Sequence, residues 1–199
     1  MINAIVLAAG ESKRMGMPKP LLRFGDTTFL EQVVSVLQGS EVGGITVVLG
    51  ARAQMIQAAT DLSGTDIVIN KDFQNGQLSS LVAALRTVSP QTEAILLCLV
   101  DNPLISREIV NRIVGVFSET GKPIVVPVFE GRRGHPTLFA RAMFGELLNA
   151  PAEKGARHVV QSNEDQVLEV DVSDPAILAR IDTPEDYLSH FGTAPQIMT

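Results

Sequence analysis

Two glycines, one hydroxyl and three cations follow the first apolar run of the chain, within residues 7–22. The run itself, Ile2 to Ala8, has the length and β-branched content of a buried strand. A backbone that approaches an anion closely needs glycine, because a Cβ would stand in the way. Arg14 can donate two hydrogen bonds to phosphate oxygens, and Lys19 offers a compact positive charge. We therefore predict a phosphate-binding loop at the carboxyl end of the first strand, where open α/β sheets place their ligands.

Two aspartates lie at the ends of predicted secondary-structure elements, one after a strand and one before a helix. Asp101 follows the most apolar run, Ala94 to Val100, which we place at the centre of the sheet. Asp182 directly precedes Thr183 and Pro184, which predict a helix start. On local sequence alone Asp101 is more typical of a turn or a helix cap than of a metal site. Taken with the cationic loop, however, two such carboxylates would suit a divalent cation that also binds a triphosphate.

Three further polar segments allow two interpretations each. Residues 75–80 open a helix, and they are either a turn with capping residues or a site for a ribose, a base edge or a phosphate. Residues 130–136 predict a turn in which His135 lies beside two arginines, either at the surface or at the rim of a site. Residues 154–157 form a glycine turn that opens another helix, which capping explains nearly as well as ligand binding.

Strands and helices alternate along the chain. The predicted strands are Ile2–Ala8, Ile45–Leu49, Ile67–Ile69, Ala94–Val100, Pro123–Phe129, Thr137–Phe139 and Val167–Val172. This pattern favours an α/β fold: a single Rossmann-like three-layer domain with a mostly parallel central sheet, one antiparallel strand and helices on both faces. We expect the domain to cover residues 1–192, with a flexible tail at 193–199.

Composition excludes several classes of protein. A net charge of −6 over 199 residues argues against general nucleic-acid binding. The single cysteine, Cys98, cannot form an internal disulfide and fits a cytoplasmic location. Neither a signal peptide nor a membrane-spanning run is evident, so we expect no membrane partner.

The pattern L-A-A-G-x-S-x-R-M-G-x-x-K over residues 7–19 resembles the signature of nucleotidyltransferases with a MobA-like fold. Among them it most resembles the molybdenum cofactor cytidylyltransferases. Matching segments follow in the family order, including D-N-P at 101–103, G-H-P at 134–136 and D-T-P-E-D at 182–186. Departures from the family pattern are Asn102 and Arg180, the latter at a position that is usually acidic in the family.

The resemblance implies a role for each matching residue. It implies catalytic roles for Arg14, Lys19 and Asp101, and Mg²⁺ held by Asp101 and Asp182. The implied acceptor-binding residues are Asn102, His135 and Arg157. The implied nucleotide-binding residues are Leu7, Ala8, Ala9, Gly10, Arg14, Lys19, Gly76, Ser79, Ser80 and Asp101.

The implied activity is Mg²⁺-dependent transfer of CMP from CTP to the phosphate of molybdenum cofactor. The guanylyl-transferring relatives resemble the pattern L-A-G-G here, with glycine at the position of Ala9. The methyl group of Ala9 leaves less room for the base and should therefore favour a pyrimidine. Two alternatives stay open: a nucleotidyltransferase for a sugar or alcohol phosphate, and a non-catalytic pterin- or nucleotide-binding assembly factor for molybdoenzymes. A molybdoenzyme or its maturation factor is the expected protein partner.

Overall fold

The computed structural model describes residues 1–198. The strands are β1 (Ile2–Ala8), β2 (Arg23–Phe24), β3 (Thr27–Thr28), β4 (Gly44–Leu49), β5 (Asp66–Ile69), β6 (Ala94–Leu99), β7 (Ile124–Phe129), β8 (Arg132–Arg133), β9 (Thr137–Ala140) and β10 (Val167–Asp171). The α-helices are α1 (Phe29–Gln38), α2 (Ala53–Ala59), α3 (Gln77–Leu85), α4 (Arg107–Thr120), α5 (Phe144–Asn149), α6 (Gly155–Ser162) and α7 (Pro184–Phe191).

One large sheet has the strand order β10-β7-β9-β6-β1-β4-β5, with the short β8 paired to β7. Strand β9 runs antiparallel to both of its neighbours, and β8 runs antiparallel to β7. The other pairs in the sheet are parallel. The predicted fold class is therefore confirmed, as is the central place of β6. Strand β8 and the small β2–β3 hairpin were not predicted.

Side chains of the central strands point alternately to two cores. On one face, Ala4 and Val6 of β1 pack with the apolar sides of α1, α4 and α7. On the other face, Ile5 and Leu7 pack with α3, α5 and α6. Burial on both faces explains why β6 is apolar throughout and β1 is apolar except at Asn3, as is typical of parallel strands in α/β proteins.

Two helices begin with capping boxes, the second of them at the helix start predicted from Thr183 and Pro184. The hydroxyl of Thr28 accepts a hydrogen bond from the backbone N–H of Glu31, and the carboxylate of Glu31 accepts one from the backbone N–H of Thr28. Thr183 and Asp186 form the same arrangement at α7. Each box satisfies N–H groups that the first helical turn leaves without partners.

The end of the chain contacts the loop that follows the first strand. The backbone N–H of Arg23 donates to the carbonyl of Gln196 at 2.8 Å, and that of Met198 donates to the carbonyl of Leu21 at 2.9 Å. The predicted tail thus includes hydrogen-bonded residues, while Thr199 lies outside the described range. None of the helices within residues 1–198 has the length and apolar character needed to cross a membrane.

Candidate active site

The loop after β1, predicted to bind phosphate, and Asp101 come together because β1 and β6 are neighbours in the sheet. Leu7 lies opposite Leu99, and the backbone N–H of Val100 donates to the carbonyl of Leu7 at 3.2 Å. Strand β4 lies on the other side of β1, so the chain crosses from one side of β1 to the other between β4 and β6. Open α/β sheets bind ligands at such crossover points, outside the carboxyl ends of the strands.

The loop after β1 closes on Ser12. Its carbonyl accepts hydrogen bonds from the N–H groups of Met15 and Gly16, at 3.1 and 3.0 Å. Its hydroxyl accepts a bond from the backbone N–H of Lys19 at 3.0 Å. Gly16 adopts a φ of 76°, in the left-handed region that glycine tolerates best. Met15 is buried beneath the turn. These contacts fix the backbone from which the Lys19 side chain projects.

Lys19 lies between the two carboxylates that the sequence singled out. Its ammonium nitrogen is 3.0 Å from Oδ2 of Asp101 and also donates a hydrogen bond to Oδ1 of Asp182. Arg14 approaches Asp182 at 3.1 Å, and Arg180 approaches Asp101 at 3.0 Å. We refer to these five residues, Arg14, Lys19, Asp101, Arg180 and Asp182, as the charged cluster.

Backbone hydrogen bonds deliver Asp182 to this cluster from the far end of the chain. The N–H of Ile181 donates to the carbonyl of Asp101 at 2.8 Å, which holds the two segments side by side. Asp186 then accepts hydrogen bonds from the N–H groups of both Asp182 and Thr183, each at 2.9 Å. The cap of α7 therefore also fixes the backbone that carries the Asp182 carboxylate.

The cations outnumber the carboxylates in the charged cluster by three to two. Burial alone would raise the pKa of Asp182, but the hydrogen bond and charge of Lys19, with Arg180 and Arg14, hold it below its ordinary value. Burial would likewise lower the pKa of Arg180, yet the neighbouring Asp101 and Asp182 raise it. Three cationic side chains facing two carboxylates leave the cluster with a surplus of positive charge that suits a polyanionic ligand.

One carboxylate oxygen of the charged cluster is left for a divalent cation. Oδ1 of Asp101 is buried and has no hydrogen-bond partner within residues 1–198, whereas the two oxygens of Asp182 face Lys19 and Arg14. Within residues 1–198, no group of three or more His, Cys, Asp or Glu side chains could hold a metal by itself. Two carboxylates are nevertheless enough for Mg²⁺, which completes its octahedral shell with phosphate oxygens and water. Asp101 and Asp182 would be the protein ligands.

The charged cluster lines one part of a cavity of about 290 Å³. The other cavity residues are Leu7, Ala8, Ala9, Gly10, Ser12, Pro20, Phe73, Gly76, Gln77, Ser80, Leu99 and Val100. Within this second group we call Ala9, Phe73, Gly76, Gln77 and Ser80 the neutral wall. Nearly all predicted nucleotide-binding residues line the cavity, and a Cβ placed on Gly10 would meet no protein atom within 4 Å.

Four predicted site residues are absent from the cavity lining. Ser79 donates its hydroxyl hydrogen bond within the chain, with the carbonyls of Asp72 and Gly76 as acceptors. Arg157 is exposed on α6. Asn102 and His135, considered next, lie against the segment that precedes Arg180.

Asn102 is buried, with its amide against the short turn at 175–178. In one amide orientation its nitrogen donates to the carbonyl of Ile177, and in the other to those of Ala176 and Ala179 at 3.0 and 3.1 Å. The backbone N–H of His135 donates to the carbonyl of Ile177 at 2.9 Å. Asn102 thus supports the segment leading to Arg180, and its acceptor-binding role stays a prediction.

The surroundings of His135 favour the neutral form of its imidazole. Burial lowers its pKa, and the charge of Arg180 lowers it further, whereas Asp101 and the carbonyl of Leu97 act in the opposite direction. Its Nδ1 is buried without a hydrogen-bond partner. The ring therefore lies close enough to the charged cluster for the charges of Arg180 and Asp101 to act on it.

Comparison with known proteins agrees with this geometry. The model of the MobA-like NTP transferase domain matches residues 4–167, which is most of the chain. The chain belongs to the MobA-like NTP transferase family. This confirms the family that the first loop suggested.

Two curated relatives of this MobA-like NTP transferase have different activities. Nicotine blue oxidoreductase of Paenarthrobacter nicotinovorans is 29% identical, with 92% of this chain and 93% of the relative aligned. Molybdenum cofactor cytidylyltransferase of Escherichia coli K12 is 28% identical, with 94% of each chain aligned. Identities of 28% and 29% indicate a shared family but do not identify the substrate of this chain.

Among solved structures, the crystal structure of Rv0371c from Mycobacterium tuberculosis H37Rv is 34% identical and superposes with a TM-score of 0.88. The match covers 96% of this chain and 97% of Rv0371c. The manganese complex of Rv0371c is also similar, at 33% identity and a TM-score of 0.84, covering 96% of this chain and 98% of that one. The fold of this MobA-like NTP transferase is thus matched over nearly its whole length.

Sequence reasoning did not assign several cavity residues of this MobA-like NTP transferase. Arg180 was noted only as a departure from the family pattern, although its position two residues before Asp182 could have placed it near the same site. Phe73 was overlooked because it lies in a short 3-10 turn without periodicity. The position of an aromatic residue just before a helix that opens with glycine could have indicated a role for Phe73 in the site.

Ser12 contributes a hydroxyl to the predicted loop, but its contact with the backbone of Lys19 spans seven residues of an irregular segment and could not be predicted from the sequence.

Proposed function

We propose that this chain is a cytidylyltransferase that transfers CMP from CTP to the phosphate of molybdenum cofactor and releases pyrophosphate. An oxygen of the acceptor phosphate forms a bond to the α-phosphorus of CTP, and the bond from that phosphorus to the β-phosphate breaks. The observation that carries the proposal is the charged cluster at the ends of β1 and β6, where Lys19 bridges Asp101 and Asp182. The only cysteine of the chain is buried and free, which suits the reducing cytoplasm in which we propose that the reaction takes place.

Four of the five members of the charged cluster have a defined task in this reaction. Arg14 and Lys19 bind the β- and γ-phosphates and stabilise the charge that grows on the departing pyrophosphate. Asp101 and Asp182 hold Mg²⁺, which when bound neutralises phosphate charge as a Lewis acid. Because the attacking phosphate is already ionised at neutral pH, the reaction needs no general base. In agreement with this, no histidine among residues 1–198 lines the cavity.

The choice of CTP rests on the neutral wall. Ala9 is buried and lines the cavity, and a methyl group there leaves less room for a base than glycine would. The relative from Escherichia coli whose name specifies cytidylyl transfer to molybdenum cofactor aligns over almost the entire chain. Both observations support a pyrimidine nucleotide and this acceptor.

A pyrophosphate-release assay tests the proposal. The purified chain is incubated with each of four nucleoside triphosphates and Mg²⁺ or Mn²⁺, against molybdenum cofactor and a panel of sugar and alcohol phosphates. We expect release with CTP and molybdenum cofactor, and its loss when the divalent cation is omitted. Release with a sugar or alcohol phosphate instead would replace the proposed acceptor. Nucleotide binding without release against any acceptor would favour the assembly-factor alternative.

The nicotine blue relative supports a second candidate, an oxidoreductase that binds a dinucleotide in the same cavity. Three cations already outweigh the two carboxylates of the charged cluster, so a diphosphate could bind there without a metal ion. A spectrophotometric assay of NADH and NADPH oxidation with dye acceptors distinguishes the two functions. Turnover that persists in EDTA, with no pyrophosphate release in the first assay, would establish this candidate in place of the transferase.

A further inference from the structure

The aromatic ring of Phe73 has no place in the reaction described so far. Phe73 is half-buried: it packs against the core beneath α3 and also lines the cavity as part of the neutral wall. Among residues 1–198 it is the only aromatic residue in the cavity lining. A nucleotide has a charged end and an aromatic end, and this cavity provides a separate surface for each.

The turn that carries Phe73 is held in place by hydrogen bonds. Buried Asn70 accepts a bond from the backbone N–H of Asp72 and donates to the hydroxyls of Ser79 and Ser80. Gly76 ends the turn with a φ of 91° and a ψ of 176°, a conformation that essentially only glycine adopts. The ring therefore stands on a backbone that is tied to the first turn of α3.

Close packing behind the turn sets the position of Phe73 relative to Ala9. A Cβ added to Gly50 would lie 2.8 Å from Cβ of Phe73 and 2.9 Å from Cβ of Ala9. No side chain fits between these two residues, so they approach each other closely across Gly50. The methyl group of Ala9 and the ring of Phe73 consequently form adjoining parts of one surface.

Polar groups that could read a base edge lie beside this surface. Gln77 begins α3 directly after Gly76, is exposed, and lines the cavity with its amide side chain unbonded to other side chains of residues 1–198. Its amide can both donate and accept, as the edge of cytosine requires. Stacking on an aromatic ring supplies affinity for any base, while the neighbouring shape and amide decide which base fits.

We propose that Phe73 is the residue on which the nucleobase stacks, and that Phe73 and Ala9 together set the size of the base that the cavity accepts. The ligand is a pyrimidine nucleoside triphosphate, so this inference rests on the proposed nucleotidyl transfer. Phe73 is a binding and specificity residue, and it takes no part in the bonds that break and form.

Calorimetric titration of wild-type protein, Phe73→Ala and Phe73→Tyr with CTP and with inorganic tripolyphosphate tests the inference. Tripolyphosphate has the triphosphate chain of CTP, with one further ionisable oxygen, and lacks the ribose and the base, so it probes the charged cluster alone. We expect Phe73→Ala to bind CTP about tenfold more weakly, the loss of one base–aromatic stack, and Phe73→Tyr to bind it as wild type does. Tripolyphosphate should bind all three proteins equally, which also shows that the variants are folded.

The same titrations with GTP complete the test. Removing the ring should narrow the preference for CTP over GTP, because a larger base then has room. Equal CTP affinity in wild type and Phe73→Ala would overturn the inference while leaving the transferase proposal intact. If wild type binds neither CTP nor any other nucleoside triphosphate, both proposals fail together.

Discussion

The charged cluster and the neutral wall line the same cavity, but the chain builds them in different ways. The charged cluster draws on three distant parts of the sequence: the loop after β1, the end of β6, and the segment before α7. The neutral wall comes mainly from residues 73–80, which are ordered by local hydrogen bonds around Asn70. One surface is assembled by the topology of the sheet, and the other by a turn.

This difference indicates how each surface can change. Long-range Coulomb contacts tolerate small displacements, since their energy falls gradually with distance. Shape selection does not, because a single methyl group decides whether a base fits. We therefore expect the charged cluster to determine the class of reaction and the neutral wall to determine the nucleotide. Single substitutions can test the charged cluster and the neutral wall separately.

Asp101→Asn should have the largest effect. The substitution removes the carboxylate whose Oδ1 is free for a cation, yet keeps its size and its polarity. We expect roughly 100- to 1000-fold slower pyrophosphate release, typical of losing one electrostatic contact to a transition state. The matched control is Asp66→Asn, an exposed aspartate of β5. Less than fivefold slowing at saturating Mg²⁺ would rule out Asp101 as a metal ligand.

Arg180→Gln should change the affinity for the metal ion rather than for the base. Arg180 lies 3.0 Å from Asp101 and 3.8 Å from Asp182, so its charge opposes a cation bound between them. We expect Mn²⁺ to bind about tenfold more tightly to the variant, after allowing for the partial exposure of Arg180. Electron paramagnetic resonance of free Mn²⁺ measures this directly. Arg132→Gln, exposed on β8, is the control, and equal affinity in both variants would contradict the prediction.

Ala9→Gly should act only on the choice of base. Removing one methyl group from the neutral wall relaxes the preference for CTP over GTP by about fourfold, the energy of a single buried methylene. The measurement is kcat/KM for both triphosphates with a fixed acceptor. Affinity for inorganic tripolyphosphate should stay constant, because the substitution removes no charge and no hydrogen-bonding group from the cavity. An unchanged preference would show that another residue selects the base.

The sequence indicated the two surfaces unequally. The loop at 7–22 is local and carries an informative pattern, so its place after β1 could be predicted, as could the fold class. The convergence of Asp101 and Asp182 depends on strand order, and only the family resemblance suggested it. Arg180 could not be assigned a contact, since the direction of its side chain depends on the hydrogen bond between Ile181 and Asp101.

The neutral wall was harder to predict. Phe73 lies in an irregular turn, where neither helical nor strand periodicity indicates which side chains face inward. The contact across Gly50 joins the ends of β1 and β4 with the turn after β5, and no sequence pattern records such packing. Asn102 shows the reverse case: a polar residue beside a site residue is turned into the fold to satisfy buried carbonyl groups.

The two capping boxes offer the smallest test, because they are chemically alike but only one adjoins the cavity. Thr28→Ala and Thr183→Ala each remove an N-cap hydroxyl and should lower the free energy of unfolding by about 1 kcal/mol. Chemical denaturation of both variants measures this. Thr183→Ala also loosens Asp182, whose backbone N–H is held by Asp186 of the same box.

Only Thr183→Ala should therefore slow turnover, by about two- to threefold, a loss of less than 1 kcal/mol in transition-state stabilisation. Thr28→Ala is its matched control, since its box lies at the start of α1 and includes no member of the charged cluster. Steady-state assays at equal fractions of folded protein provide the comparison. Equal slowing in both variants would mean that the charged cluster responds to global stability alone. Slowing confined to Thr183→Ala would mean that its geometry depends on the backbone that presents Asp182.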